Sequence, residues 1–412
     1  MSRIIILCDS IPDDPSNGLH LRIQNLVARL VHEHECGFIG CESQRELKSL
    51  DVLSCFKDVF LMQPRPRSNR SWRRHLRRSN AWFLEESSPE FFQYATGVLA
   101  ECIQRWDTQA IVSFAPALTE LAARCGIPKI LDICDSTTLT IQRRLSNRSR
   151  RMKPGERVLT SLKAMRQRGR EGEFVRQFNI TTTISEADRG ALLRVSGVEQ
   201  DRIFVVPNGV ADAALKVDSS SHSGNRSVIF WGNLDFPPNW TAIEYFYEKI
   251  YSPYLADKDI AWHIVGGKDK QDLYRRIRHP NIRFHGFVED LFAFAARQGV
   301  MVNPMIEGSG LKNKVLESFA VRLPVVSTSL GVEAIGGVAG RHYLVADSAK
   351  QFAASIVDLL DNQPLRESIT NAARRLVATK FSWSVVGRQY SELVCTVAGA
   401  AKDRLKEKAD AR

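Results

Sequence analysis

Residues 303–320 decide the fold, and they read NPMIEGSGLKNKVLESFA. An apolar run leads into this stretch, a loop with two glycines follows, and helical periodicity begins near Leu311. This order predicts a strand, a glycine-rich loop and a helix, the repeating unit of a parallel sheet covered by helices. Gly308 and Gly310 allow the backbone to turn and to approach a ligand closely, and Ser309 is placed to cap the helix.

The same alternation of strands and helices extends in both directions along the chain. Continuous apolar strands indicate a parallel sheet covered on both faces, and strand-then-helix order requires right-handed crossovers. The predicted strands are residues 3–9, 36–41, 58–62, 110–114, 129–133, 181–185, 203–206, 228–231, 262–265, 282–285, 300–303, 324–327 and 342–345. A polar stretch, residues 219–225, divides these strands into two series. We therefore predict an α/β protein with two doubly wound Rossmann-like domains, residues 1–215 and 216–412, facing a ligand cleft.

Length and composition agree with this division. A chain of 412 residues suits two domains of about 150–200 residues each. Apolar residues make up 44% and charged residues 25%, which is typical of globular proteins. The sequence contains no apolar run long enough to cross a bilayer, and residues 4–8 are too short for the core of a signal peptide. These features predict a cytoplasmic protein.

The net charge of +11 indicates an anionic partner. Basic residues concentrate in the first half, in residues 65–78, where Trp72 and Trp82 lie nearby, and in residues 143–170. Such clusters bind an anionic membrane, bind nucleic acid, or form a solvated loop. The sequence has no recognisable nucleic-acid module, so we expect peripheral contact with the inner face of a membrane. The residues predicted to make it are Arg73, Arg74, Arg77 and Arg78.

The helix that follows Gly310 carries the strongest chemical signal. Free amide groups at a helix start attract phosphate, and Lys312 and Lys314 add positive charge where the helix dipole disfavours it. An anion bound there would offset that cost. Glu317 lies three residues beyond Lys314, on the same face, where its carboxylate can accept hydrogen bonds from ribose hydroxyls. The alternative is a capped surface helix on which Lys314 and Glu317 form a solvated ion pair.

Five stretches in order resemble a known family. They are residues 184–186 with 206–210, residues 263–267, residues 282–288, residues 308–328, and residues 381–383. The chain resembles glycosyltransferase family 4, the group 1 glycosyltransferases, most clearly in its C-terminal half. The resemblance implies the GT-B fold, in which a C-terminal helix returns to the first domain. It also implies transfer, with retention of configuration, of a sugar from a nucleoside diphosphate sugar to an acceptor hydroxyl, the acceptor being lipid-linked or a polysaccharide.

The same resemblance assigns the donor-binding residues. They are Gly18, Gly232, Phe287, Val288, Gly308, Ser309, Gly310, Leu311, Lys312, Lys314 and Glu317. Two positions depart from the family pattern. Ser309 stands where the usual first glutamate lies, and no arginine follows Gly232, where many members hold the diphosphate. The two lysines are therefore expected to take over the charge of the leaving group.

Asp132, Asp135 and Lys314 are the candidate catalytic residues. Both aspartates follow a strong strand, and Asp135 orients the acceptor hydroxyl, stabilises positive charge that develops at the sugar carbon, or caps the next helix. Arg22 either reaches the acceptor side of the cleft or pairs with an acid. The resemblance implies that no metal or other cofactor is required.

Two other functions share parts of this pattern. A nucleotide-sugar 2-epimerase would bind the same donor on the same architecture but transfer nothing. A basic, non-catalytic scaffold for anionic polymers would bind no nucleotide. The sequence does not identify the sugar, the base, the acceptor or the oligomeric state.

Overall fold

The computed structural model describes residues 1–13, 18–42, 51–63, 83–114, 116, 118–146, 154–217, 225–267, 275–308 and 310–410, with the backbone alone at 51 and 400–410. These residues form two compact units. The first comprises residues 1–207 and 386–412, and the second comprises residues 208–385.

The division between the units differs from the predicted boundary after residue 215. The backbone N–H of Val210 donates to the carbonyl of Phe381 at 2.7 Å, and this bond ties residue 210 to the end of the second unit. A Cβ on Gly209 would lie 2.6 Å from the ring of Trp383. The chain therefore changes units eight residues before the predicted boundary, and it returns to the first unit at residue 386.

The first unit contains a seven-stranded parallel sheet. Its strand order is β3-β2-β1-β4-β5-β6-β7, so the chain reverses direction across the sheet between β1 and β4. The strands are β1 (Arg3–Leu7), β2 (Glu35–Cys41), β3 (Asp58–Met62), β4 (Ala110–Phe114), β5 (Lys129–Cys134), β6 (Ile180–Thr183) and β7 (Ile203–Val205). The helices are α1 (Gly18–Glu33), α2 (Leu84–Ser87), α3 (Pro89–Arg105), α4 (Thr119–Ala123), α5 (Thr137–Ser146), α6 (Pro154–Gln177) and α7 (Glu186–Ser196).

The second unit repeats this arrangement with six parallel strands. Their order is β10-β9-β8-β11-β12-β13, with the reversal between β8 and β11. The strands are β8 (Ser227–Trp231), β9 (Ala261–Val265), β10 (Ile282–Gly286), β11 (Val300–Asn303), β12 (Val325–Ser327) and β13 (Leu344–Val345). The helices are α8 (Asp212–Lys216), α9 (Pro237–Tyr245), α10 (Ser252–Tyr254), α11 (Leu291–Ala296), α12 (Asn313–Ala320), α13 (Ser329–Val332), α14 (Ala349–Asp361) and α15 (Gln363–Lys380).

Apolar burial explains why these segments form sheets. All five residues of β4 and all five of β8 are buried, as expected for strands covered on both faces. In the second unit, Trp262 packs edge-on against Phe246 with ring centroids 4.8 Å apart. Helix α9 begins at Pro237, because proline is well accommodated in the first turn of a helix.

The last helix, α16 (Trp383–Asp410), begins at the end of the second unit and continues into the first. Tyr390 is fully buried and stacks on Phe114 at the end of β4, with centroids 6.4 Å apart. Ser391 donates a hydrogen bond to Glu33 at the end of α1. The predicted return of the C-terminal helix to the first domain is confirmed.

Within the described ranges, no helix combines the length and the apolar character that crossing a membrane requires.

Candidate functional site

The reversal of strand order in the second sheet locates the candidate donor site. In open parallel sheets, ligands bind beyond the carboxyl ends of the strands, at the point where strand order reverses. Here that point lies between β8 and β11. The loop after β8 begins with Gly232, and the loop after β11 contains Gly308 and Gly310. Two of the predicted donor segments therefore meet at the place where this fold binds ligands.

Lys314 lies in the first turn of α12 and is only 8% exposed. Its Nζ donates to Asn239 Oδ1 at 2.8 Å and lies 3.8 Å from the centroid of the Phe230 ring. Burial, with a contribution from nearby Lys312, lowers the pKa of Lys314 from 10.5 to about 7. The site thus holds a buried lysine that lacks a full counter-charge and would gain from an anionic ligand.

Glu317 lies one turn further along α12 and is partly exposed. Its Oε2 accepts a hydrogen bond from Trp231 Nε1 at 2.8 Å. Burial raises the pKa of Glu317, against the opposing effects of this hydrogen bond and of Lys314. No ion pair joins Lys314 to Glu317 among the described residues, so the predicted alternative of a solvated surface pair does not describe this helix.

The loop before α12 turns at its two glycines. Gly308 has φ 108° and Gly310 has φ 71°, in the left-handed region that favours glycine. Lys312 donates from Nζ to the carbonyl of Gly310 at 3.0 Å and occupies the position before the helix, without a side-chain cap. The helix begins at Asn313, two residues later than predicted. Ser309, the predicted capping residue, lies outside the described residues.

Gly232 brings the backbone close to the buried lysine. A Cβ at Gly232 would lie 2.8 Å from Asn239 Nδ2 and 3.1 Å from Lys314 Nζ. Asn239 also donates from Nδ2 to the carbonyl of Asn233 at 2.9 Å, which links the loop after β8 to α9 and to Lys314. The sequence analysis did not predict a role for Asn239. Its position seven residues after Gly232, in the first turn of a helix, could have indicated a polar side chain near the donor site.

The loop after β10 presents Phe287, whose side chain is 85% exposed, next to a partly exposed Val288. Strand β10 is two strands away from β8 in the same parallel sheet, so its carboxyl end lies at the same edge as Gly232. A fully exposed phenylalanine is available to stack on a planar ligand.

In the first unit, Arg22 and Asp132 form a fully buried ion pair. Arg22 Nη2 lies 2.7 Å from Asp132 Oδ2, and Nε lies 3.1 Å from Oδ1. Thr182 donates to the same carboxylate at 2.8 Å, and Arg22 Nη1 donates to the carbonyl of Pro207 at 3.1 Å. Arg22 therefore takes the second of its two predicted roles, pairing with an acid, and the pair leaves neither side chain exposed for contact with an acceptor or a reacting centre.

Asp135 is exposed, three residues beyond the buried Asp132. Between them, the register of β5 against β6 shifts, and Cys134 adopts φ 60°. Helix α5 is capped by Ser136, whose Oγ accepts from the backbone N–H of Leu139 at 3.2 Å. Ser136 therefore supplies a side-chain cap for this helix, and the role of Asp135 stays a prediction.

The buried Glu171 of α6 also supports the start of α5. It accepts hydrogen bonds from the backbone N–H groups of Thr137 and Thr138, at 2.9 and 3.2 Å. Nothing in the local sequence signals this contact, because Glu171 lies more than thirty residues along the chain from the start of the helix that it caps.

The remaining predicted residues fall in three places. Gly18 is the exposed first residue of α1. Leu311 is buried in the loop, two residues before α12 begins. The four arginines of the predicted membrane contact, Arg73, Arg74, Arg77 and Arg78, lie outside the described residues.

The described part of the chain contains one cluster of potential metal ligands. Glu33, His34 and Cys395 place their ligand atoms within 4.8 Å of one another in the first unit. Glu33 already accepts from Ser391 and pairs with Arg29. The expectation that catalysis needs no metal stays a prediction.

Comparison with known proteins agrees with the geometry of the second unit. Residues 225–362 match the family model described as "Glycosyl transferases group 1". A curated relative, the "Uncharacterized 44.6 kDa protein in cps region" of Klebsiella pneumoniae, is 25% identical over 147 residues. That alignment covers 34% of this chain and 38% of the relative.

Solved structures share the fold over nearly the whole chain. Anabaena Alr3699/HepE in complex with UDP and glucose superposes with a TM-score of 0.66 at 13% identity, covering 96% of this chain and 99% of that chain. Sucrose-phosphate synthase from Thermosynechococcus elongatus gives a TM-score of 0.69 at 12% identity, covering 97% and 100%. WaaG, a glycosyltransferase involved in lipopolysaccharide biosynthesis, gives 0.62 at 14% identity, covering 94% and 98%. The predicted two-domain GT-B fold and the resemblance to group 1 are confirmed.

Proposed function

We propose that the chain is a retaining glycosyltransferase, because residues 225–362 match the group 1 glycosyltransferase model and the chain has the GT-B fold. It moves a sugar from a nucleoside diphosphate sugar to an acceptor hydroxyl. The donor binds in the second unit, beyond the carboxyl ends of β8 and β11. The buried Lys314, close to Gly232 and one turn from Glu317, carries this proposal.

Lys314 stabilises the leaving group. The bond between the anomeric carbon and the diphosphate oxygen breaks, the acceptor oxygen bonds to the same carbon, and the acceptor proton passes to the departing phosphate. Negative charge accumulates on the diphosphate, and a cation held in a low-dielectric site stabilises that charge more strongly than one in water. Gly232 has no side chain, so the diphosphate can approach the Lys314 ammonium. A nearby amide, Asn239, fixes the position of Nζ.

Glu317 holds the ribose. Its Oε2 is oriented by Trp231, and Oε1 makes no hydrogen bond within the described residues and remains available to a sugar hydroxyl. A carboxylate with one oriented oxygen and one open oxygen is preorganised for this contact. The exposed Phe287 supplies an aromatic face for the base.

Asp135 serves the acceptor in this proposal. The left-handed backbone of Cys134 and the register shift after Asp132 turn Asp135 to the exposed side of the strand end. Backbone strain of this kind concentrates at functional sites. Asp135 orients the acceptor hydroxyl, a polysaccharide or lipid-linked sugar in our proposal. Asp135→Asn should therefore lower transfer with little effect on nucleotide binding.

Nucleotide binding tests the donor site. UDP or GDP should raise the melting temperature of the protein, because a ligand that binds only the folded state stabilises it. Glu317→Ala should remove most of that shift, since the ribose hydroxyls lose their acceptor. Glu367→Ala, at an exposed glutamate on α15 of the same unit, is the matched control and should keep the full shift. No response of the wild-type protein to any nucleoside diphosphate would favour the scaffold and reject the donor site.

Product analysis separates transfer from epimerisation. A transferase releases nucleoside diphosphate from a labelled nucleotide sugar and passes the label to an acceptor extract. An epimerase changes the free sugar without adding label to any acceptor. Acceptor-dependent labelling that is lost in Lys314→Met supports the proposal, and sugar release that ignores the acceptor contradicts it.

A further inference from the structure

Helix α6 carries a line of large apolar side chains that face solvent. Val158 is 61% exposed, Leu162 is 55% exposed and Met165 is 73% exposed. Their spacing of four and three residues places them on one face of the helix. The other face is packed into the first unit, where Gln167, Glu171 and Phe174 are buried. Single exposed apolar residues are ordinary, but a continuous line of three beside a packed face marks an interaction surface.

Cations border this line on both sides. At 100° per residue, Arg157 and Arg168 lie about 80–100° to one side of the line and Arg166 about 80° to the other. Arg166 is held in place by Glu86 and lies 4.1 Å over the ring of Phe83. Arg157 and Arg168 are exposed and make no ion pair with any described residue.

The charged residues of the surrounding sequence are almost all basic. Between Arg143 and Arg170 the chain has eleven basic residues and a single acidic one, Glu156. Glu156 is paired with Arg144 at 3.0 Å. This one segment therefore accounts for most of the net charge of the chain, and it adjoins the exposed apolar line.

We propose that α6 is a docking surface for an anionic phospholipid bilayer, with Val158, Leu162 and Met165 inserted among the acyl chains and the bordering arginines against the headgroups. An amphipathic helix with an apolar line and basic flanks lies in the membrane interface in this way. Both halves of the pattern are needed: the arginines explain attraction to negative charge, and the apolar line explains why the partner is not a purely ionic polymer.

Nucleic acid fits this surface less well. A phosphate backbone binds the cations, but it offers no apolar surface on which valine, leucine and methionine could be buried. The apolar line also has no aromatic ring on which a base could stack. The docking surface is independent of the donor site, because it needs no nucleotide, acceptor or turnover. The inference also gives the predicted membrane contact a location within the described residues, since Arg73, Arg74, Arg77 and Arg78 lie outside them.

Vesicle flotation of the full chain tests this proposal. The protein should float with vesicles that contain phosphatidylglycerol and stay at the bottom with vesicles of phosphatidylcholine alone. Arg157→Gln with Arg168→Gln should weaken binding about 25-fold, since each cation near an anionic surface contributes about fivefold. Val158→Ser with Leu162→Ser and Met165→Ser should weaken it at least about tenfold.

Two matched variants serve as controls. Arg297→Gln with Arg375→Gln removes the same charge from exposed sites of the second unit, and Val338→Ser with Tyr254→Ser removes exposed apolar groups there. Both should bind vesicles as the wild type does, and all variants should keep the wild-type melting temperature. Equal binding by the α6 variants and the controls would overturn the proposal, as would absence of wild-type binding or binding to nucleic acid in place of vesicles. Nucleotide-induced stabilisation, measured in the same samples, shows separately whether the donor site is intact.

Discussion

Replacing Lys314 with methionine is expected to stabilise the free protein while removing nucleotide binding and transfer. The pKa of Lys314 falls from 10.5 to about 7 on folding, chiefly through burial, which corresponds to a penalty of about 4–5 kcal/mol for the charged form. Methionine fills a similar volume without charge. It leaves Asn239 Oδ1 without its donor, at a cost of about 1–3 kcal/mol. The net effect at pH 6 should be a gain of about 1–3 kcal/mol.

The pH dependence of this gain has a definite sign. Below pH 7 the lysine is protonated in both the folded and unfolded protein, so the penalty is fully present in the wild type. Between pH 7 and 10.5 the unfolded state binds more protons, so wild-type stability rises with pH. The advantage of Lys314→Met should therefore be largest at pH 6 and should disappear towards pH 10 or above, as followed by thermal unfolding.

Turnover and nucleotide binding should decrease in Lys314→Met, although the stability of the free protein increases. Loss of the cation opposite the leaving diphosphate should lower turnover by about 10²–10³-fold, and nucleotide should no longer raise the melting temperature. In the wild type, a bound diphosphate favours the charged form of Lys314, so binding near pH 7.5 should take up a proton. Calorimetry in buffers of different ionisation enthalpy measures that uptake.

The control for these measurements is Lys312→Met, at a partly exposed lysine two residues away. It should reduce nucleotide affinity and should stabilise the free protein much less than Lys314→Met does, because it removes only the charge repulsion on Lys314 and not the cost of burying it. If Lys314→Met left transfer intact, or if the two variants behaved alike, the role assigned to the buried lysine would be refuted.

The sequence predicted the strands well because each is a continuous apolar run. Strand β8, with the sequence SVIFW, is buried throughout, and both sheets follow from repetition of the same pattern. Helix starts were less accurate where backbone conformation decides them. Gly310 at φ 71° delays α12 to Asn313, and no side-chain pattern reports that angle.

Within the candidate site, local spacing predicted Lys314 and Glu317 but not their partners. Lys314 contacts Asn239 and Phe230, and Glu317 contacts Trp231, and each partner lies more than seventy residues away along the chain. Burial changes the chemistry of both ionisable groups, and burial depends on packing between distant segments. Spacing places Asp132 at a strand end, whereas only the fold shows that it points inward to Arg22.

Replacing Arg22 with methionine is expected to destabilise the first unit by about 3–5 kcal/mol, because among the described residues the buried Asp132 carboxylate would keep the Thr182 hydroxyl as its one side-chain donor. The double variant Arg22→Met with Asp132→Leu removes both charges and should recover most of the loss. Arg226→Met, which breaks an exposed pair with Asp361, is the matched control and should cost at most about 1 kcal/mol. Urea unfolding measures all three. The transfer activity of the double variant then decides the role of Asp132. If activity returns together with stability, the pair is structural. If the double variant is stable but inactive, Asp132 takes part in the reaction.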